Sequence, residues 1–149
     1  MLNVSRKCQY ALRALLELAI RYPENAVTTV SQIAEAQKIP PRFLEQILSK
    51  LRTGRFIESR RGNQGGYIMS VAPSSISVGD IIRFMEGSDE AVDCLKQPQN
   101  NHCPFPGSCA FKDLWQRAHS SLSDIFDNTN FQDLIDNRLK SCRQLDYTI

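Results

Sequence analysis

The chain has 149 residues, of which 42% are hydrophobic, and a net charge of +2, which suits one domain with a modest core. No run approaches the roughly 18 apolar residues of a membrane span, and the N-terminal residues lack the apolar centre of a signal peptide. The sequence therefore predicts a cytoplasmic protein without membrane contact. Because thiols stay reduced there, the five cysteines are expected to serve metal or redox chemistry, or to be buried, rather than to form disulfides.

Charge is distributed unevenly along the chain. Residues 1–70 hold 11 Lys/Arg and 5 Asp/Glu, whereas residues 71–149 hold 7 Lys/Arg and 11 Asp/Glu. A basic half followed by an acidic half indicates that the first half faces a polyanion. A pI of 8.3 is not basic enough to identify that polyanion as DNA, so the arrangement of the predicted helices and strands must decide.

Helical periodicity predicts three helices in the first third of the chain. They cover residues 4–21, 32–37 and 41–52, and the third begins at Pro41. One side of the third helix is apolar and the other is polar and basic. Two short helices joined by a tight turn form the helix-turn-helix pattern, although a merely solvated face would look similar. The residues expected to contact DNA are Ser31, Gln32, Arg42, Glu45, Gln46, Lys50 and Arg52.

A glycine-rich hairpin follows and favours the DNA-binding interpretation. Residues 56–60 and 67–71 read as short strands, and three glycines lie between them. A hairpin directly after a helix-turn-helix is a wing. Arg60 and Arg61 at its tip are expected to reach phosphates or a narrow minor groove.

The second half of the chain reads as a helix, a long loop and a further helical region. A helix over 77–86 precedes an irregular loop over 87–109. From Ala110 a long helix carries apolar residues spaced by 4, 3, 4 and 3, which is typical of a coiled-coil seam. The seam predicts a homodimer, although the chain's own core could also cover it. Its members are Phe111, Trp115, Ala118, Leu122 and Ile125.

The predicted fold class is mainly α with a small β-hairpin wing, as a winged helix-turn-helix plus a long C-terminal dimerisation helix. Residues 1–86 are expected to form the DNA-binding domain, and residues 87–109 the cysteine loop. Residues 110–139 are expected to form the dimerisation helix and a short closing helix, and residues 140–149 a mobile tail.

Three cysteines in the loop are spaced C-x8-C-x5-C, at Cys94, Cys103 and Cys109. This spacing differs from the CxxC pairs of zinc ribbons and thioredoxins. Three thiolates on a Pro/Gly-rich loop can hold an iron–sulfur cluster, while zinc binding and a thiol sensor stay open as alternatives. A cluster normally takes four protein ligands. The candidates for the fourth are Cys8, from the same chain or a partner subunit, and the less favoured His102 and Cys142.

Several stretches together resemble the bacterial iron–sulfur regulator family of winged-helix repressors typified by IscR, NsrR and RirA. The similarity runs over roughly residues 3–137. It is carried by Tyr10-Ala-Leu-Arg-Ala-Leu, Phe43-Leu-Glu-Gln-Ile-Leu-Ser-Lys-Leu-Arg52, Arg61-Gly-Asn-Gln-Gly-Gly-Tyr67, Val78-Gly-Asp-Ile-Ile82, the three cysteines and Leu114-Trp115.

The resemblance implies a dimeric regulator that binds a double-stranded DNA operator with an affinity set by a [2Fe-2S] or [4Fe-4S] cluster on the loop cysteines. It also implies that Glu45 and Gln46 face bases and that the wing arginines enter the minor groove. Lys112 stands where the IscR type has a histidine ligand, and Gln9 where the NsrR type has an acidic one. Cys8 of the partner subunit is therefore the favoured fourth ligand.

The sequence leaves two alternative functions open. A cluster-free regulator of the same fold could sense thiol oxidation or bind zinc, and a protein-interaction module could regulate an enzyme through the seam and the loop. An enzyme is not expected, since the sequence has no nucleophile–base constellation.

Overall fold

The computed structural model describes residues 4–62, 65–87, 105 and 108–145, with backbone alone for 141–145. Within these ranges the chain forms six α-helices and one β-hairpin, which confirms the predicted fold class. No helix in the described part is long and apolar enough to cross a membrane. The elements are α1 (Arg6–Ile20), α2 (Val30–Gln37), α3 (Pro41–Thr53), β1 (Ile57–Arg60), β2 (Gly66–Met69), α4 (Val78–Glu86), α5 (Lys112–Asp127) and α6 (Phe131–Leu145).

Helix α1 forms the centre of the core and contacts α2, α3, α4 and α6. Its buried stripe repeats at helical spacing, through Cys8, Ala11, Leu15 and Leu18. Burying one leucine or isoleucine side chain stabilises the fold by roughly 1.5–3 kcal/mol. The partners that close over this stripe from other elements include Ile33, Leu44, Ile47, Leu48, Leu51, Ile57, Ile81 and Phe131.

Capping boxes fix where α2 and α4 begin. The Thr29 side chain accepts a hydrogen bond from the Gln32 N–H (3.2 Å), and the Gln32 side chain accepts one from the Thr29 N–H (2.9 Å). Ser77 and Asp80 exchange the same pair of bonds at the start of α4, at 3.0 and 2.9 Å. These bonds satisfy N–H groups that lack helical partners. Because Thr29 is the cap, α2 starts at Val30, two residues before the predicted start.

The hairpin is joined to the helix-turn-helix by backbone hydrogen bonds. Strands β1 and β2 are antiparallel, with Ile57 opposite Met69 and Arg60 opposite Gly66. On β2, Tyr67 also exchanges two N–H···O bonds with Thr28, at 3.0 and 2.9 Å. Since Thr28 directly precedes the cap of α2, the wing has a fixed position relative to the first helix of the motif.

The C-terminal helices attach to the core through α4 and Phe131. The Arg83 guanidinium donates to Asp127 Oδ1 at 2.7 Å, which joins α4 to the end of α5. Phe131 is fully buried and anchors the start of α6 in the core. Helix α6 was predicted to end at 139 but continues to Leu145, because residues 132–145 contain no glycine or proline that would stop it.

Candidate nucleic-acid interface and cysteine segment

Helix α3 presents a polar face to solvent. Its apolar side is buried in the core, whereas Phe43 in its first turn is 56% exposed. Four of the side chains predicted to contact DNA are exposed together on the outer side, which is the arrangement of a recognition helix. They are Arg42, Glu45, Gln46 and Arg52.

The predicted contacts on α2 lie at its first turn. Ser31 and Gln32 are both exposed there. The Gln32 side chain is also the second member of the capping box, where its Oε1 accepts from the Thr29 N–H. Its amide nitrogen is still available for a contact with phosphate, whereas its oxygen is engaged in starting the helix.

The wing arginines are exposed at the far end of the hairpin. Arg60 ends β1 and donates to Glu58 Oε1 at 2.7 Å, an ion pair at the surface. Such a pair contributes only about 0–1 kcal/mol, so a phosphate can replace the carboxylate easily. Arg61 follows in the turn, and Asn63 and Gln64 lie outside the described residues.

Lys50 differs from the other predicted DNA contacts. It is half-buried, and its Nζ donates to the main-chain oxygen of Met85 at 3.0 Å. The ammonium also lies 5.5 Å from the centroid of the Phe84 ring, within the range of a cation–π interaction. The side chain therefore points towards the end of α4 rather than away from the protein.

Cys8 lies in the core with no exposed surface. Burial, and then the adjacent Glu86 carboxylate that accepts its hydrogen bond, raise the pKa of the Cys8 thiol to about 12, although the Lys50 charge acts against this. At neutral pH the group is a protonated thiol. Metal ligands are thiolates, so binding of a metal by Cys8 would require this thiol to lose its proton. In the sequence, Cys8 lies three residues before Ala11 and seven before Leu15, and this helical spacing places it on the buried side of α1.

Cys8 is expected to resist alkylation in the folded, cluster-free protein. With a pKa of about 12, only about one thiol in ten thousand is ionised at pH 8, and burial also blocks the reagent. Timed iodoacetamide treatment followed by peptide mass spectrometry should show Cys109 modified far sooner than Cys8. In denaturant the two should react at similar rates. Equal rates in the native protein would contradict the burial of Cys8.

Cys109 lies shortly before the first residue of α5, Lys112. It is half-buried and free of disulfide bonding, and its main-chain oxygen accepts from the Lys112 N–H at 3.2 Å. Cys94, Cys103 and His102 lie outside the described residues, as does the Cys142 side chain. Within the described ranges, no three His, Cys, Asp or Glu side chains are grouped to hold a metal ion. The structure thus describes one of the three loop cysteines.

Helix α5 carries the predicted seam on its surface. Phe111 and Ile125 are each 60% exposed, Leu114 is 51% exposed and Trp115 is 36% exposed. The Phe111 and Trp115 rings stack with centroids 6.3 Å apart. Ala118 is exposed as well, and Leu122 is half-buried. The chain's own core therefore leaves most of this apolar face uncovered.

Comparisons with known proteins agree with this architecture. The family model Rrf2, described as iron-dependent transcriptional regulator, matches residues 4–137. The HTH-type transcriptional regulator CymR of Bacillus subtilis is 32% identical over 133 residues, which cover 89% of each chain. The HTH-type transcriptional regulator IscR of Erwinia tasmaniensis is 31% identical over 137 residues, covering 92% of this chain and 81% of that protein.

Solved structures lead to the same group. CymR (YrzC), the global cysteine regulator of B. subtilis, matches with a TM-score of 0.78 at 33% identity, over 92% of this chain and 98% of that one. IscR of T. potens matches with a TM-score of 0.71 at 31% identity, over 92% and 88% of the two chains. These relatives are transcriptional regulators and not enzymes, as the sequence predicted. The chain belongs to the Rrf2 family of iron-dependent transcriptional regulators.

Proposed function

We propose that the chain is a homodimeric DNA-binding regulator whose operator affinity is set by an iron–sulfur cluster on Cys94, Cys103 and Cys109. One observation carries the DNA-binding part: α3 and the hairpin pack against each other, and the polar face of α3 and both wing arginines, Arg60 and Arg61, are exposed. In this proposal residues 1–86 form the DNA-binding domain and 87–109 the cluster-binding segment. Residues 110–139 form the dimerisation and closing helices.

The exposed side chains divide into two groups by chemistry. The arginines bind phosphates and set affinity, which falls steeply with salt concentration. Glu45 accepts from a cytosine amino group, and Gln46 pairs with an adenine edge, so these two set sequence preference. Ser31 and Gln32 add phosphate contacts from the start of α2. The phosphate-binding arginines are Arg42, Arg52, Arg60 and Arg61.

Two variants test this division of roles on a duplex that the wild-type protein selects from a random-sequence pool. Arg61→Ala should weaken binding to all duplexes and reduce the slope of log affinity against log salt by about one. Glu45→Ala should leave that slope unchanged and lower the discrimination at one base pair by about 1–3 kcal/mol. Binding titrations over a salt series measure both quantities. If Glu45→Ala binds every single-base variant of the duplex with wild-type preference, Glu45 does not read a base.

The donor set fits an iron–sulfur cluster, because thiolates are its ordinary protein ligands and the loop supplies three. Cys109 is half-buried and free, and it leads directly into α5. When bound, the cluster would supply a group that responds to iron supply or oxidation. Anaerobic purification with iron and sulfide analysis tests its presence. The fourth ligand stays a prediction, and a Cys8→Ala variant that keeps its iron and sulfide would place that ligand elsewhere.

The dimer is proposed from the uncovered apolar face of α5. A coiled-coil-like seam needs a partner helix, and a second copy of the same chain supplies one with two-fold symmetry. Two DNA-binding domains held in this way predict an operator with two half-sites about one or two helical turns apart.

A cluster-free regulator that responds to thiol chemistry is the second candidate. Similarity to CymR, the global cysteine regulator of B. subtilis, supports it. The protein would then be colourless when purified without air, and its DNA affinity would change with thiol oxidation instead of iron content. Stoichiometric zinc in a colourless protein would indicate the zinc-binding form of this candidate.

A further inference from the structure

The last turn of α4, residues 84–86, lies where the recognition helix, the wing and α1 meet. On the α3 side, Lys50 Nζ donates to the Met85 main-chain oxygen at 3.0 Å. This oxygen is one of the four carbonyls at a helix C-terminus that lack an intrahelical partner. A cation suits that position, because the helix dipole places negative charge there. The contact therefore joins α3 to α4 by a charge-assisted hydrogen bond.

The same turn also packs on the start of the wing. The Phe84 ring meets the Phe56 ring edge to face, with centroids 5.1 Å apart. A Cβ on Gly54 would lie 2.7 Å from both rings, so the rings would have to shift to admit a side chain there. Gly54 caps the end of α3, and Phe56 directly precedes β1. Phe84 thus touches the connection between the two DNA-contacting elements.

Helix α1 holds the turn from its other side. Glu86 Oε1 accepts from the Ser5 N–H at 3.0 Å, and the Glu86 carboxylate lies beside the buried Cys8 thiol. Gly87 then ends α4 in the left-handed conformation, with φ of 84°. The cysteine-bearing segment starts immediately after it in the sequence. The turn is therefore placed between α1 and α3 and directly precedes the proposed cluster ligands.

We infer that Lys50 is a positioning residue that fixes the recognition helix to the last turn of α4, rather than a phosphate contact. Its ammonium is already engaged by the Met85 oxygen and the Phe84 ring. Arg52, two residues on in the last turn of α3, is exposed and remains suited to phosphate. The two cations of one helical turn therefore have different tasks, although the sequence pattern placed both on the DNA-contacting face.

Lys50→Met and Arg52→Met form a matched pair that tests this assignment in cluster-free protein. Binding is titrated over a salt series on the selected duplex and on a scrambled duplex of the same length. Arg52→Met should weaken binding to both and reduce the salt slope by about one. Lys50→Met should keep the wild-type slope and bind the scrambled duplex normally, yet bind the selected duplex about tenfold more weakly.

Lys50→Arg retains a charged donor and should restore binding to the selected duplex. Thermal unfolding establishes that each variant is folded. If Lys50→Met does not fold, the salt slope of Lys50→Gln decides, because glutamine has no charge to pair with phosphate. Two results would overturn the inference. One is a salt slope reduced by about one in Lys50→Met or Lys50→Gln, and the other is a Lys50→Met protein that binds both duplexes like wild type.

One consequence rests on the proposed function, because it requires a bound cluster. A change in the segment after Gly87 would reach α3 through the Met85–Lys50 contact. Lys50→Met should then keep wild-type iron and sulfide, while the difference in affinity between loaded and cluster-free protein shrinks from about tenfold to below about threefold. An undiminished difference would show that this contact does not carry the signal. If wild type itself shows no difference, the proposed function fails, and the salt slopes still decide the role of Lys50.

Discussion

Replacing Gly66 with alanine is expected to destabilise the protein by about 3 kcal/mol and to weaken operator binding, because it separates the wing from the helix-turn-helix. A Cβ at this position would overlap the Thr28 main-chain oxygen and lie 2.7 Å from its carbonyl carbon. Both obstacles are backbone atoms, which cannot rotate away as a side chain can. The next residue of β2, Tyr67, makes the two hydrogen bonds with Thr28 that would be strained or lost.

Gly65→Ala is the matched control for this variant. The nearest atom to a Cβ at Gly65 is the Arg60 main-chain oxygen at 3.3 Å, so a shift of a few tenths of an ångström makes room. Urea unfolding should give a midpoint much lower for Gly66→Ala than for Gly65→Ala, with similar slopes. If the two variants unfold at the same midpoint, the close approach of β2 to Thr28 is not the constraint that we describe.

Trp115→Glu is expected to convert the proposed dimer into monomers at micromolar concentration. Trp115 lies among the exposed apolar side chains of α5, and a two-fold interface would bury one introduced carboxylate from each copy. Burying an unpaired charge costs several kcal/mol, so the dissociation constant should rise by at least about a hundredfold. Affinity for a two-half-site operator should fall too, since the second domain no longer binds at high effective concentration.

Gln116→Glu is the matched control, because it adds the same charge to the next residue of α5, which is exposed and lies outside the apolar seam. It shows the effect of the added charge without the loss of Trp115. Light scattering coupled to size-exclusion chromatography should find a dimer for this control and for wild type, and a monomer for Trp115→Glu. A dimeric Trp115→Glu protein would place the interface elsewhere. A wild-type monomer at tens of micromolar would contradict the proposed homodimer.

Local sequence patterns predicted the helices and the hairpin, because these elements depend on residues that are close in sequence. The apolar spacing of Leu44, Ile47, Leu48 and Leu51 predicted the buried side of α3, and the glycines around Arg61 predicted the hairpin. The helical spacing of the apolar residues in α1 likewise indicates that Cys8 is buried. Its position in the stripe of Ala11, Leu15 and Leu18 is that of a core residue, and its role as the fourth ligand stays a prediction.

The contacts around α4 could not be predicted in the same way. Lys50 lies 35 residues from the Met85 oxygen that it binds, and Ser5 lies 81 residues from Glu86. Periodicity gives the side of a helix on which a residue lies, but not which neighbouring helix comes close to that side. The end of α6 was missed for a different reason: a polar stretch without glycine or proline reads equally well as a tail or as an exposed helix.

The affinity of the wild-type protein for its selected duplex, measured without air before and after removal of the cluster, tests the central claim most directly. We expect bound iron and sulfide in the starting protein and affinities that differ by about tenfold or more between the two forms. Cys109→Ser should lack the cluster and bind like the cluster-free form. Equal affinities for loaded and cluster-free protein, or a protein that never holds iron and sulfide, would contradict the account.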